Sequence, residues 1–203
     1  MRSIHFALPL CVLAGGCALF TTAKPDTQNL SAGAYRMDKA HASLIWRVKH
    51  QGLSSYTARL TDFDISLDFD PANVAESHVK AIINPLSVST DHPTDKDWNR
   101  RIGEDFLRGK DFPQIAFTSK KIEKTGETTG KLTGDLSFMG ITRPVTLDVT
   151  YNGHATSPLR LGKDLVGFSV HGSFSRSAFG SDAYASIASD AVEIIIEAEF
   201  AHS

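Results

Sequence analysis

The stretch Asp62-Phe63-Asp64-Ile65-Ser66-Leu67-Asp68-Phe69-Asp70 decides the fold. Successive side chains of a strand point to opposite faces, so Phe63, Ile65, Leu67 and Phe69 share one face and the polar residues share the other. A helix would scatter both sets around its circumference. The alternation predicts one long strand from Thr57 to Asp70, stopped by Pro71-Ala72-Asn73. Its carboxylates are spread along the strand instead of converging, which argues for a solvated face over a calcium site.

The same period recurs on both sides of this stretch. Upstream, Leu44, Trp46, Val48 and His50 fall on one face, with Ile45, Arg47 and Lys49 on the other. Downstream come Val79, Ala81 and Ile83; Ile115 and Phe117; Leu132, Leu136 and Phe138; and Val145, Leu147, Val149 and Tyr151. Val166, Phe168, Val170 and Phe174 precede a last strand with Val192, Ile194, Ile196, Ala198 and Phe200. Roughly eight or nine strands with short turns give an up-and-down barrel or a sandwich. The class is all-β and antiparallel.

Two segments depart from that rhythm. Trp98, Ile102 and Phe106 repeat every four residues, which predicts a short amphipathic helix, with Thr94 as its N-cap. The Ala/Ser/Gly-rich run 178–190 is irregular. Either segment would sit at a barrel opening, where it is a candidate gate.

The N-terminus reads as an export signal. Met1-Arg2-Ser3 is followed by an apolar run to Leu13 that is too short to span a bilayer, and then by Leu13-Ala14-Gly15-Gly16-Cys17. Small residues before a cysteine resemble a bacterial lipobox, in which Cys17 is lipidated; plain cleavage after Ala23 is the competing reading. The expected organisation is a signal segment over 1–23, a polar linker over 24–32 and a barrel domain over 33–203. The expected location is the bacterial periplasm, with a lipid anchor holding the domain to a membrane. Both cysteines, Cys11 and Cys17, lie inside the signal, so the domain has no thiol for a disulfide, a nucleophile or a metal.

Composition narrows the function. The chain has 203 residues and a formal charge of −2, which speaks against a nucleic-acid partner. Twelve Phe against two Trp and four Tyr predict a dry interior. There is no G-x-S-x-G elbow, P-loop or H-E-x-x-H helix, and His78 and His92 lack simple ligand spacing. The expectation is therefore a protein that is not an enzyme, with no catalytic residue, metal or cofactor. An eight-strand barrel is either filled by its own side chains or just wide enough for one slender ligand. The side chains expected to line such a bore are Trp46, Val48, Phe63, Ile65, Phe117, Phe138, Leu147, Phe168, Val170 and Phe174. Two polar residues share their faces. His50 would meet a head group or a neighbouring strand, and an inward Arg176 would need a carboxylate or an anionic ligand.

Four motifs carry a family resemblance: Asp38–His50 (DKAHASLIWRVKH), Asp105–Ser119 (DFLRGKDFPQIAFTS), Leu132–Val149 (LTGDLSFMGITRPVTLDV) and Phe174–Gly180 (FSRSAFG). In this order, within Tyr35–Phe200, they resemble the YceI-like, polyisoprenoid-binding proteins. Ala58 stands where that family usually has Gly, Leu60 where it has Phe, and Met139 where it has His. The resemblance implies an extended eight-stranded, lipocalin-like antiparallel barrel. It implies a polyisoprenoid or isoprenoid-quinone lipid as the bound partner, and leaves a homodimer open. The alternative is a structural or stress-response envelope protein whose barrel is filled.

Overall fold

The computed structural model describes residues 23–95, 97–157 and 163–203. Residues 1–22, which hold Cys11, Cys17 and all but the last residue of the expected signal segment, lie outside them. Among the described residues there are ten strands: β1 (Gly33–His50), β2 (Ser54–Leu60), β3 (Phe63–Phe69), β4 (His78–Ile83), β5 (Val88–Ser89), β6 (Ile115–Lys124), β7 (Thr129–Phe138), β8 (Ile141–Ser157), β9 (Lys163–Ser175) and β10 (Ala191–His202). All pairings are antiparallel, and β10 pairs with β1 from Tyr35↔His202 to Arg47↔Glu193, which closes the sheet into a barrel.

Ten strands make eight staves. The long β1 pairs with β3 through its first residues and with β2 through its last, so β2 and β3 are one stave with a kink. The unbroken strand expected over Thr57–Asp70 is therefore interrupted at Thr61 and Asp62. A matching kink separates β4 from β5, and the two kinks satisfy each other. Thr61 donates its backbone N–H and its hydroxyl to the Ser87 carbonyl, and Asn84 N–H donates to the Asp62 carbonyl. These bonds carry the pairing across the break.

The alternation that identified the fold is realised in β3. Phe63, Ile65, Leu67 and Phe69 are buried while the intervening residues are exposed. In β1 the inward face changes from odd to even residue numbers because Asp38–His41 bulge out between Met37 and Ala42. Asp38 holds this bulge, accepting from Ala40 N–H and bonding the His41 ring at 2.9 Å.

One barrel end is capped by α1 (Trp98–Arg101), which runs into a wider π turn over Ile102–Phe106. Asp97 occupies the cap position without a side-chain bond, so Thr94 is not the N-cap. The four-residue apolar repeat survives this widening, and Ile102 and Phe106 are buried beneath it. Trp98 Nε1 donates to the Tyr56 hydroxyl at 2.7 Å, and Asn99 accepts from both the backbone and hydroxyl of Thr90.

Candidate functional site

The inward side chains leave two apolar chambers, one above the other along the barrel. The first has a volume of about 180 Å³ and a wall including Ile65, Leu67, Phe69, Val149, Phe168 and Val170. The second, beside the α1 cap, has about 110 Å³ and a wall including Trp46, Phe117, Phe138, Leu147 and Phe174. No residue lines both.

The partition follows from the register. Between the two linings, the inward positions on four staves are Phe63, Ala81, Gly134 and Gly172. Two of these are glycines, and neighbouring side chains lean over them. A Cβ on Gly134 would stand 2.4 Å from the Phe117 ring, and one on Gly172 would stand 2.4 Å from Leu147 Cδ2. Close packing leaves no room for both. Phe63, Phe117 and Leu147 thus form a waist, seated where two side chains are missing.

The mouth of the first chamber has a polar rim on the β6–β7 hairpin, with Glu123, Lys124, Glu127 and Lys131. Residues 24–32, expected as a polar linker, lie across this end as a strap. Lys24 exchanges backbone hydrogen bonds with His154 at 2.9 and 2.8 Å. Tyr151 donates its hydroxyl to the Asp26 carbonyl at 3.0 Å, and Tyr35 donates to the Ser31 carbonyl at 2.7 Å. Thr27 lines the chamber and Leu30 packs on the core. Gly153, at φ +117°, makes this approach possible, since a Cβ there would come within 2.5 Å of the Lys24 carbonyl oxygen. Burial, and secondarily nearby carboxylates, push the phenols of Tyr35 and Tyr151 up to about 12. Both stay neutral donors at ordinary pH.

The opposite end is stitched by Arg176, which is 2% exposed. Its Nε donates to the Ser189 carbonyl, Nη1 to those of Ser181 and Ala183, and Nη2 to that of Ala188. The guanidinium also lies 5.4 Å above the Phe106 ring. The partner expected for an inward arginine was a carboxylate or an anion; carbonyl dipoles of the 178–190 loop take that place. Asp190 fastens the same loop, accepting from the Ser175 hydroxyl and Ser177 N–H, and these bonds hold its carboxyl below the usual range.

Of the expected bore residues, Ile65, Phe168 and Val170 line the first chamber. Trp46, Phe117, Phe138, Leu147, Phe174 and Arg176 line the second. Phe63 is at the waist, and Val48 is buried but lines neither. His50, in register with the oily face, lies at an exposed rim position. It keeps the parity of Trp46 and Val48, but β1 ends there and the chain turns at Gln51 with φ 51°. Leu67, Phe69 and Tyr151 belong to the first chamber and shared a predicted face with chosen residues, so the alternation could have supplied them. Phe106 and Leu107 enter the second chamber from the cap, where strand periodicity carries no signal.

Among the described residues, no histidine, cysteine or aspartate lines either chamber. A His–carboxylate group, Asp38, His41 and Glu199, sits at the β1 bulge, with His41 and Glu199 exposed. What the interior offers is hydrocarbon, at about 25 cal/mol per Å² of apolar surface removed from water.

Comparison with known proteins agrees with the geometry. The YceI-like domain matches residues 35–200. Protein YceI of Escherichia coli O6:H1 is 35% identical over 170 residues, covering 83% of this chain and 86% of the relative. The YceI protein of Campylobacter jejuni has a crystal structure that superposes with a TM-score of 0.66 at 31% identity, covering 76% of this chain and 90% of that one. A polyisoprenoid binding domain from Saccharophagus degradans shares the fold at a TM-score of 0.58 and 13% identity, over 85% of this chain and all of that one. With its barrel, its four motifs in order and these relatives, the chain belongs to the YceI-like family.

Proposed function

We propose that this protein binds a long-chain apolar lipid of the polyisoprenoid or prenyl-quinone class inside the barrel and carries it in the bacterial envelope, without chemical conversion. The observation that carries this reading is the hollow interior: two apolar chambers, about 180 and 110 Å³, with a polar rim at one mouth. A filled barrel, the structural alternative, would have spent that space on its own side chains. The polyisoprenoid binding reported for the Saccharophagus degradans domain supports the ligand class. The walls are mostly hydrocarbon, with the carboxylates and ammonium groups of the first chamber gathered on the β6–β7 hairpin at its mouth, which supports carriage over catalysis. Entrance and exit are assigned to the strap end, where separate backbone and tyrosine-hydroxyl bonds cover the larger chamber and its polar rim, and not to the Trp98 helix or the 178–190 loop, the gates expected from sequence. Cys17 as a lipidated anchor is part of the same reading. Incorporation of labelled palmitate, abolished in Cys17→Ser, tests it.

The carrier reading is tested by native mass spectrometry of the purified protein, followed by solvent extraction. A bound prenyl lipid is the expected result. A protein that leaves the cell empty and takes up no prenyl lipid when offered one would favour the structural role.

A further inference from the structure

Trp46 is 4% exposed and lines the second chamber, yet its indole N–H has no hydrogen-bond partner. A buried donor left unsatisfied costs about 1–3 kcal/mol, so it requires an explanation. No side-chain or backbone oxygen accepts from it. The indole stacks on Phe106 with ring planes 11° apart and centroids 5.9 Å apart, so its N–H runs alongside that ring instead of into its face. Water is a poor candidate, because a buried water needs two to four polar partners. The other polar residues of this chamber are Arg176 and Ser181, and Arg176 is directed at loop carbonyls.

The size of the space is informative as well. A protein cavity of about 150 Å³ accepts a benzene ring, and the second chamber, at about 110 Å³, is of that order. An anion is disfavoured there, since burying a charge without a partner is costly and the local guanidinium is engaged. The feature that answers the indole is a neutral oxygen acceptor on a slender, mostly apolar ligand.

We infer that the second chamber seats the oxygen-bearing end of the lipid, with Trp46 Nε1–H donating to a neutral carbonyl or hydroxyl oxygen of a prenyl quinone or prenyl alcohol. This rests on the carrier reading and deepens it. The tail then runs through the Phe63, Phe117 and Leu147 waist into the first chamber, towards the strap. Trp46 selects for an oxygenated end; the walls select for the chain.

The experiment uses delipidated full-length protein, with three probes of equal tail length: a prenyl quinone, the prenyl alcohol and the hydrocarbon without oxygen. Trp46→Phe keeps an aromatic ring and removes the donor, and the oxygen-free hydrocarbon probe reads the accompanying loss of ring volume. The expected result is that quinone and alcohol bind the variant about 5–10-fold more weakly, as for loss of one hydrogen bond of 1.0–1.4 kcal/mol, while hydrocarbon binding moves less than about twofold. A second measurement uses the wild-type protein. It has two tryptophans, and Trp98 already donates to Tyr56, so nitrogen–proton spectra resolve two indole signals of known environment. Quinone should move the Trp46 indole proton downfield and leave Trp98 in place; the hydrocarbon should not. Equal losses for all three probes, or a Trp46 indole proton that does not move downfield while quinone binds, would overturn the inference and leave carriage standing. Failure of the wild-type protein to bind any probe would overturn both.

Discussion

The two ends of the barrel are closed by different means. At the α1 end, one buried arginine gathers four loop carbonyls, and the loop is doubly fastened by Asp190. At the other end a strap lies over the larger chamber, held by one backbone pair with His154 and two tyrosine hydroxyls. The first closure is a network in which each bond depends on the same buried charge, and such networks fail together. The second is a row of separate contacts that can be undone one at a time, as expected of a region that opens below the global unfolding free energy. One end is a floor and the other a door.

The largest expected effect tests the floor. Arg176→Met should cost on the order of 3–5 kcal/mol, since it leaves a set of buried carbonyls without donors. Chemical denaturation measures it; a loss below about 1 kcal/mol would mean the loop stands without the arginine. Next comes the partition between the ends. Phe117→Ala removes a waist ring and should cost about 3 kcal/mol. It should also widen the waist that the tail threads, so that affinity rises more steeply with prenyl tail length than in the wild-type protein. An unchanged length profile, measured by calorimetry, would show that the waist does not limit the chain.

The strap answers to gentler changes. Gly153→Ala places a Cβ against the Lys24 carbonyl and imposes a strained φ, a penalty of about 1–3 kcal/mol. Part of it is relieved by releasing the strap. Limited proteolysis should then cut within residues 23–32 faster than in wild type, and lipid exchange should speed up. The smallest effect is one of pH. Tyr35 and Tyr151 titrate near 12 when folded, against 10.0 for a free phenol. Their contribution is complete below pH 10 and is lost as pH rises through 12, because the unfolded chain gives up those protons first. Strap cleavage should rise across that window, and Tyr151→Phe should flatten the rise. A slope unchanged by the substitution would remove Tyr151 from the fastening.

These ends also mark where sequence was readable. The wall was legible because period-2 alternation depends only on backbone geometry and on one face being dry, so Phe63 to Phe69 could be placed without partners. Arg176 was legible by parity, but its partners are carbonyls from a turn that carries no sequence signature. Parity could set the face of His50 but not its depth, since alternation gives a face and not a distance from the rim. The strap was missed because its attachment is mainly main-chain to main-chain or hydroxyl to main-chain. Gly153, a glycine within the run of a strand, was the available signal of another backbone passing close by. The chambers themselves depend on what is missing at Gly134 and Gly172.

The seam between β1 and β10 has a bearing on reuse. Because the wall is zipped all the way round by its own main chain, cargo contributes none of the bonds that hold the cylinder shut. Unloading therefore leaves a vessel with its ladder unchanged and few raw edges on which a second molecule could polymerise. Such a container can make repeated journeys without having to refold between them.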